Sequence, residues 1–113
     1  MTKFEVLYHK IAAGIPDTVE SKMVGALCIK AQNGKAGVMF WKDDMVFKLD
    51  EEAQNEALGL KNAQIFEPAD GRKMNGWVHV PNIHSTKWKK YAEIAMENVN
   101  KIDVVKKIKK VKK

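Results

Sequence analysis

The chain has 113 residues, a formal net charge of +6, 45% hydrophobic and 30% charged residues, and one cysteine. This is the size and composition of one globular domain with a real core. No apolar run approaches the roughly 18–20 residues that cross a bilayer, and the opening "MTKFEVLYHK" lacks the apolar core of a secretory signal.

Cytoplasm is therefore the expected compartment, and Cys28, alone in the chain, has no partner for an internal disulfide. The position of the charge is more informative than its size. Residues 101–113 hold seven lysines and one acid, Asp103, a net of +6, whereas residues 1–100 hold thirteen basic and thirteen acidic side chains. The body is neutral and the excess sits at one end.

In chain order, "KFEVLYHKIAAGI" (3–15) places Phe4, Leu7, Tyr8, Ile11 and Ile15 on one stripe at helical spacing. Gly14 and Pro16 end that helix. "DTVESK" (17–22) reads as a polar connection. "MVGALCIK" (23–30) alternates as a strand, with Met23, Gly25, Leu27 and Ile29 on one face. Asn33-Gly34 is a strong hairpin signal, and "AGVMFWK" (36–42) is the return strand. Asp43-Asp44 closes a second tight turn into "MVFKL" (45–49), which completes a three-stranded antiparallel meander.

Asp50 is a good N-cap, and Glu51 and Glu52 suit the positive end of a helix dipole, so a short helix runs to Gly59. Residues 63–81 read as two further strands punctuated by Pro68, Asp70-Gly71 and Asn75-Gly76. From Ser85 a long helix carries Trp88, Tyr91, Ala92, Ala95, Val99 and Ile102 as its core stripe. The expected fold is a two-layer α+β domain over residues 1–100, in the order α-β-β-β-α-β-β-α. Residues 101–113 form a basic tail or helix extension.

Three stretches carry a family resemblance. They are "KMVGALCIK" (22–30), "GVMFWKDDMVFKL" (37–49) and "DGRKMNGWVHVP" (70–81). Together, in this order and spacing, they resemble the TfoX N-terminal domain family, also called Sxy, across residues 22–99. Val24 stands where the family has an aromatic residue, Ala26 where it has a second glycine, and Lys73 where it has a proline. The resemblance implies a two-layer α+β domain linked to regulation of natural competence, and it supplies no catalytic residue or cofactor. The second, helical domain common in that family is expected to be absent.

The reactive side chains fit structural roles. His79 and His84 lie five residues apart across Pro81 and Cys28 is remote, so no metal-ligand spacing exists. Cys28 suits a packed strand position better than a nucleophile's. Asp43 and Asp44 sit where a turn is required, which explains them without acid–base chemistry. The chain is expected not to be an enzyme and to need no cofactor or metal. The turn around Arg72 and Lys73 could hold an anion on its backbone amides. A deep pocket lined by Arg72, Lys73 and Trp77 would favour that alternative, a small-molecule or anion-binding domain using residues 70–77.

Both faces of strand 36–42 are apolar, with Val38 and Phe40 on one and Met39 and Trp41 on the other. Either helices wrap the second face, or Met39 and Trp41 mark an interface, most simply a homodimer.

In the tail, at about 100° per residue, Lys106, Lys109, Lys110 and Lys113 fall on the continuation of the core stripe, and Val104, Ile108 and Val111 fall opposite. A lysine stripe does not pack on a core, so the helix must break near residues 98–103 or project past the body. The tail is a solvated chain end, a contact for an acidic protein or an anionic membrane surface, or an arm whose Lys106, Lys107, Lys109, Lys110, Lys112 and Lys113 bind nucleic-acid phosphates. With no aromatic side chain to stack on bases, such binding is weak, salt-sensitive and without sequence preference. The leading expectation is a non-enzymatic regulatory domain with an unidentified protein partner and a weak nucleic-acid arm.

Overall fold

A computed structural model describes the backbone of residues 2–23 and 25–112, and the side chains of all of these except Met23 and residues 101–112. The chain is an α+β domain, as its hydrophobic pattern predicts. Helix α1 (Lys3–Gly14) is followed by strands β1 (Thr18–Met23), β2 (Ala26–Ala31), β3 (Ala36–Trp41) and β4 (Asp44–Lys48). Helix α2 (Glu51–Leu58), strands β5 (Gln64–Ile65) and β6 (Trp77–Val80), a 3-10 segment (Asn82–Lys87) and helix α3 (Trp88–Lys112) complete it. The strands form one antiparallel sheet in the order β1-β2-β3-β4-β6-β5. Among the described residues no helix is long and apolar enough to cross a membrane.

Two differences from the sequence pattern matter. Residues 17–22 are not a connection. Asp17 turns the chain at φ 60°, and β1 then pairs with β2 along its whole length, from Thr18 opposite Ala31 to Met23 opposite Ala26. The meander therefore has four strands. β1 escapes a periodicity reading because it is an edge strand with Glu20, Ser21 and Lys22 among its six residues. Charged side chains are a common way to blunt an exposed edge.

The second difference concerns the sheet's two faces. All three helices lie on one face. Tyr8 and Ile11 of α1, Ala53 and Ala57 of α2, and Trp88, Tyr91 and Met96 of α3 pack there against Ile29, Val38, Phe40, Phe47, Val78 and Val80. The opposite face carries a smaller core of its own, built from Cys28, Met39, Val46, Trp77 and Phe66. Its cover is the connection between β5 and β6, not a helix. Phe66 is fully buried, and Met74 and Trp41 flank it. Backbone bonds pin this flap. Phe66 N–H donates to Trp77 O at 2.8 Å and Met74 N–H donates to Phe66 O at 2.8 Å.

The local signals behave as their chemistry dictates. The Thr2 hydroxyl caps α1 by accepting from Glu5 N–H, and the Asp50 carboxylate caps α2 by accepting from Ala53 N–H at 2.9 Å. Lys42 and Asp43 both have positive φ, as a two-residue turn between β3 and β4 requires. Asn33 serves twice at the β2–β3 turn. Its carbonyl oxygen accepts from Lys35 N–H, and its amide donates to Val99 O on α3. Beyond Val99 the backbone of α3 stays helical to Lys112, so the chain does not break at residues 98–103. At about 1.5 Å per residue the 25-residue helix is about 37 Å long. The side chains of Lys106, Lys107, Lys109, Lys110 and Lys112, and all of Lys113, lie outside the described residues.

Candidate functional site

The residues able to do chemistry fall into separate places. Cys28, Met39, Val46 and His79 occupy one cross-strand row, each opposite the next. Neighbouring strands are about 4.8 Å apart, so three steps put the cysteine and histidine backbones roughly 14 Å from one another. The thiol has no base beside it. Burial pushes the Cys28 thiol above its ordinary range, against the opposing pull of Lys30. A protonated, buried thiol is a packing group, not a nucleophile.

His79 meets Asp44. Its Nε2 lies 2.8 Å from Asp44 Oδ2, where the ring nitrogen donates, and the other carboxylate oxygen accepts from Asn82 N–H at 2.9 Å. The neighbouring Asp43 is engaged as well. Its carboxylate accepts from the Thr2 hydroxyl at 2.8 Å, and its backbone carbonyl accepts from the Asn82 amide. The two aspartates thus tie the β3–β4 turn to the chain start and to the end of β6. Phe66 packs edge-on against both Trp41 and His79, at centroid distances of 5.4 and 6.0 Å. Trp41 and His79 thus form a half-open shelf over the buried Phe66, with the Lys42 ammonium 5.4 Å from the Trp41 ring.

The other histidines are also held by the fold. His9 lies between Glu20, 2.6 Å from Nδ1, and Glu5, 3.5 Å from Nε2, and so bridges α1 to the β1 edge. His84 Nε2 donates to Lys61 O at 2.9 Å. Among the described residues no three His, Cys, Asp or Glu side chains are grouped to hold a metal ion.

In the basic turn Arg72 and Lys73 are exposed, whereas Trp77 is buried in the second core. The Gly71 amide donates to the carboxylate of Glu67 at 2.8 Å. An anion there would compete with a negative charge already in place. The interface pair is divided too. Met39 has no exposed surface beneath the Phe66 flap, so only Trp41 of the two presents any.

Sequence patterns gave no sign of one further feature. A groove of about 420 Å³ runs between α1 and the junction of the 3-10 segment with α3, lined by Leu7, Lys10, Ile11 and Gly14 on one side and Ser85, Thr86 and Lys89 on the other. Its existence depends on how two helices dock, which neither helix's own sequence encodes. No family profile, curated protein or solved structure matches this chain.

Proposed function

We propose that this protein is a non-enzymatic interaction domain whose neutral α+β body carries a basic C-terminal helix that binds nucleic-acid phosphates electrostatically and without sequence preference. The carrying observation is the charge partition. The whole +6 excess lies in residues 101–113, beyond Val99, the last buried residue of α3 among the described residues. Clustering like charges costs self-repulsion, which binding to a polyanion relieves while releasing counterions.

The body supports this reading. Its histidines and the Asp43–Asp44 pair are engaged in holding the fold together, and its thiol is packed. The resemblance of residues 22–99 to the TfoX N-terminal domain adds a regulatory role, with competence regulation as its family form, acting in the cytoplasm. A protein partner, in the simplest case a second copy, would meet the body at the half-open edge around Trp41. A strictly monomeric mass by light scattering at high concentration would remove the second copy. The anion-binding alternative at residues 70–77 has less support, because Glu67 holds the turn and Trp77 is buried.

The test is duplex DNA and RNA binding across a salt series. It compares the full chain with a variant carrying glutamine at Lys106, Lys107, Lys109, Lys110, Lys112 and Lys113. At about −0.9 per phosphate contact, six engaged lysines give a log–log slope near −5 on duplex DNA. The expected result is a slope between about −3 and −5 that does not depend on sequence and vanishes in the variant. No binding by the full chain at low salt would overturn the reading and move the search to a protein partner near Trp41.

A further inference from the structure

The groove beside α1 brings two basic side chains to one place. Lys10 and Lys89 come from different helices and line the same groove. Neither makes an ion pair among the described residues. Two unpaired like charges beside one cleft repel each other, and an anion between them reverses the sign of that interaction.

The rest of the lining fits the same kind of occupant. Leu7 is half-buried and Ile11 nearly buried, which gives an apolar wall. Gly14 leaves open space where a side chain would stand, so the groove is not closed at the end of α1. The Ser85 and Thr86 hydroxyls have no hydrogen-bond partner among the described residues and can donate to an oxyanion. An apolar wall with a few convergent polar groups, at a volume of several hundred Å³, is the usual composition of a small-molecule site.

We propose that this groove binds a small amphiphilic anion, a carboxylate on an aliphatic body. The carboxylate sits between Lys10 and Lys89 and accepts from the Ser85 or Thr86 hydroxyl. The aliphatic part lies along Leu7 and Ile11. This site is separate from the basic end of α3 and does not depend on the nucleic-acid reading.

The test uses octanoate as the probe on the full-length protein, read by backbone amide chemical shifts. Octan-1-ol and octylammonium serve as neutral and cationic controls. The expected result is saturable shifts at residues 7–14 and 85–89 with octanoate, with octylammonium inert. In the double variant Lys10→Gln, Lys89→Gln the affinity should fall at least about ten-fold, as loss of charge-assisted contacts implies. Both lysines are exposed, so the variant keeps its fold, and unchanged amide positions elsewhere would verify that. Equal binding of octanol and octanoate, or unchanged affinity in the double variant, would overturn the proposal by making the groove merely apolar. Shifts confined to residues 101–113 would overturn it as well, by assigning the anion to the basic tail.

Discussion

Gly37 lies directly under Met96. A Cβ at position 37 would stand 2.9 Å from the Met96 sulfur and 3.1 Å from the Ala95 carbonyl oxygen. The β2–β3 register shifts here, with Ile29 opposite Val38 but Lys30 opposite Ala36, so Gly37 is the extra residue of a bulge. The bulge brings bare backbone against α3, and the helix settles closer to the sheet than any side chain would allow.

Gly37→Ala follows as the first prediction. In an open strand this change stabilises by about 0.4–1 kcal/mol through the unfolded chain. Here overpacking wins, and the expected outcome is a loss of about 1–3 kcal/mol, measured as a lower urea midpoint at unchanged slope. Measured in a Met96→Ala background, which carries its own core penalty, the cost of Gly37→Ala should shrink but not vanish. The methionine side chain can yield, but the Ala95 carbonyl is helix backbone. A cost that vanishes there would mean the sulfur contact alone sets the helix height.

The flap gives the second prediction. Phe66 is the only aromatic side chain that the β5–β6 connection contributes to the second core, and it is fully buried. Phe66→Ala should cost about 3–5 kcal/mol if the flap stays closed over the cavity. Because only short backbone bonds hold the flap, local opening is the cheaper response. Hydrogen exchange at Met39 and Val46 should accelerate, and Trp41 fluorescence should shift to the red, while the helical face stays protected. Uniform loss of protection on both faces would show instead that the two cores unfold as one unit.

These two sites also mark where sequence pattern stops being informative. The Asp50 cap and the core stripe of α3 through Val99 were legible, because each is written within a few consecutive residues; the β3–β4 turn was legible in kind but one residue off, since its positive-φ pair is Lys42–Asp43 and Asp44 already belongs to β4. β1 was not, since Glu20 and Lys22 on an edge strand look like a loop and only pairing with β2 makes them a strand. The flap was not, because nothing near Phe66 or Met74 states that they close over Met39. Apolar residues on both faces of β3 were visible, yet the choice between a partner and the chain's own loop is made by residues almost thirty positions away. The Lys10–Lys89 groove is a product of helix docking and was invisible for the same reason. The partners of the histidines, Asp44, Glu20 and Lys61, were not legible, since each lies on a different element of the fold.

The Asp44 carboxylate supplies the third prediction. It accepts from His79 and from Asn82 N–H, and it is only about one-fifth exposed. Asp44→Ala leaves a half-buried ring nitrogen and a backbone amide without partners, a loss of about 1–3 kcal/mol. Asp44→Asn keeps one acceptor, which can serve Asn82 but not both donors, so its loss should be roughly half as large. Thermal unfolding of the two variants beside wild type checks the ranking. Equal values would mean that the His79 contact contributes little.

The last prediction concerns alkaline pH. Burial holds the Cys28 thiol and the Tyr8 phenol protonated above their ordinary ranges, Tyr8 with a further push from Glu20. In the unfolded chain they ionise near about 8.5 and 10. Above those values the unfolded state has lost a proton that the native state retains. Stability therefore falls as pH rises, and each group's contribution is fully present only below its unfolded pKa. The limiting slope is about 1.4 kcal/mol per pH unit for each group. Urea unfolding between pH 7 and 11 should show a decline beginning near pH 8.5 and steepening above 10. Tyr8→Phe should remove part of the steepening, the rest coming from Tyr91, whose phenol is also pushed up by burial. It should cost little at neutral pH, because the Tyr8 hydroxyl is buried with no hydrogen-bond partner among the described residues, and deleting an unsatisfied hydroxyl is close to neutral. A wild-type curve that stays flat to pH 11 would mean that the phenol reaches water in the native state.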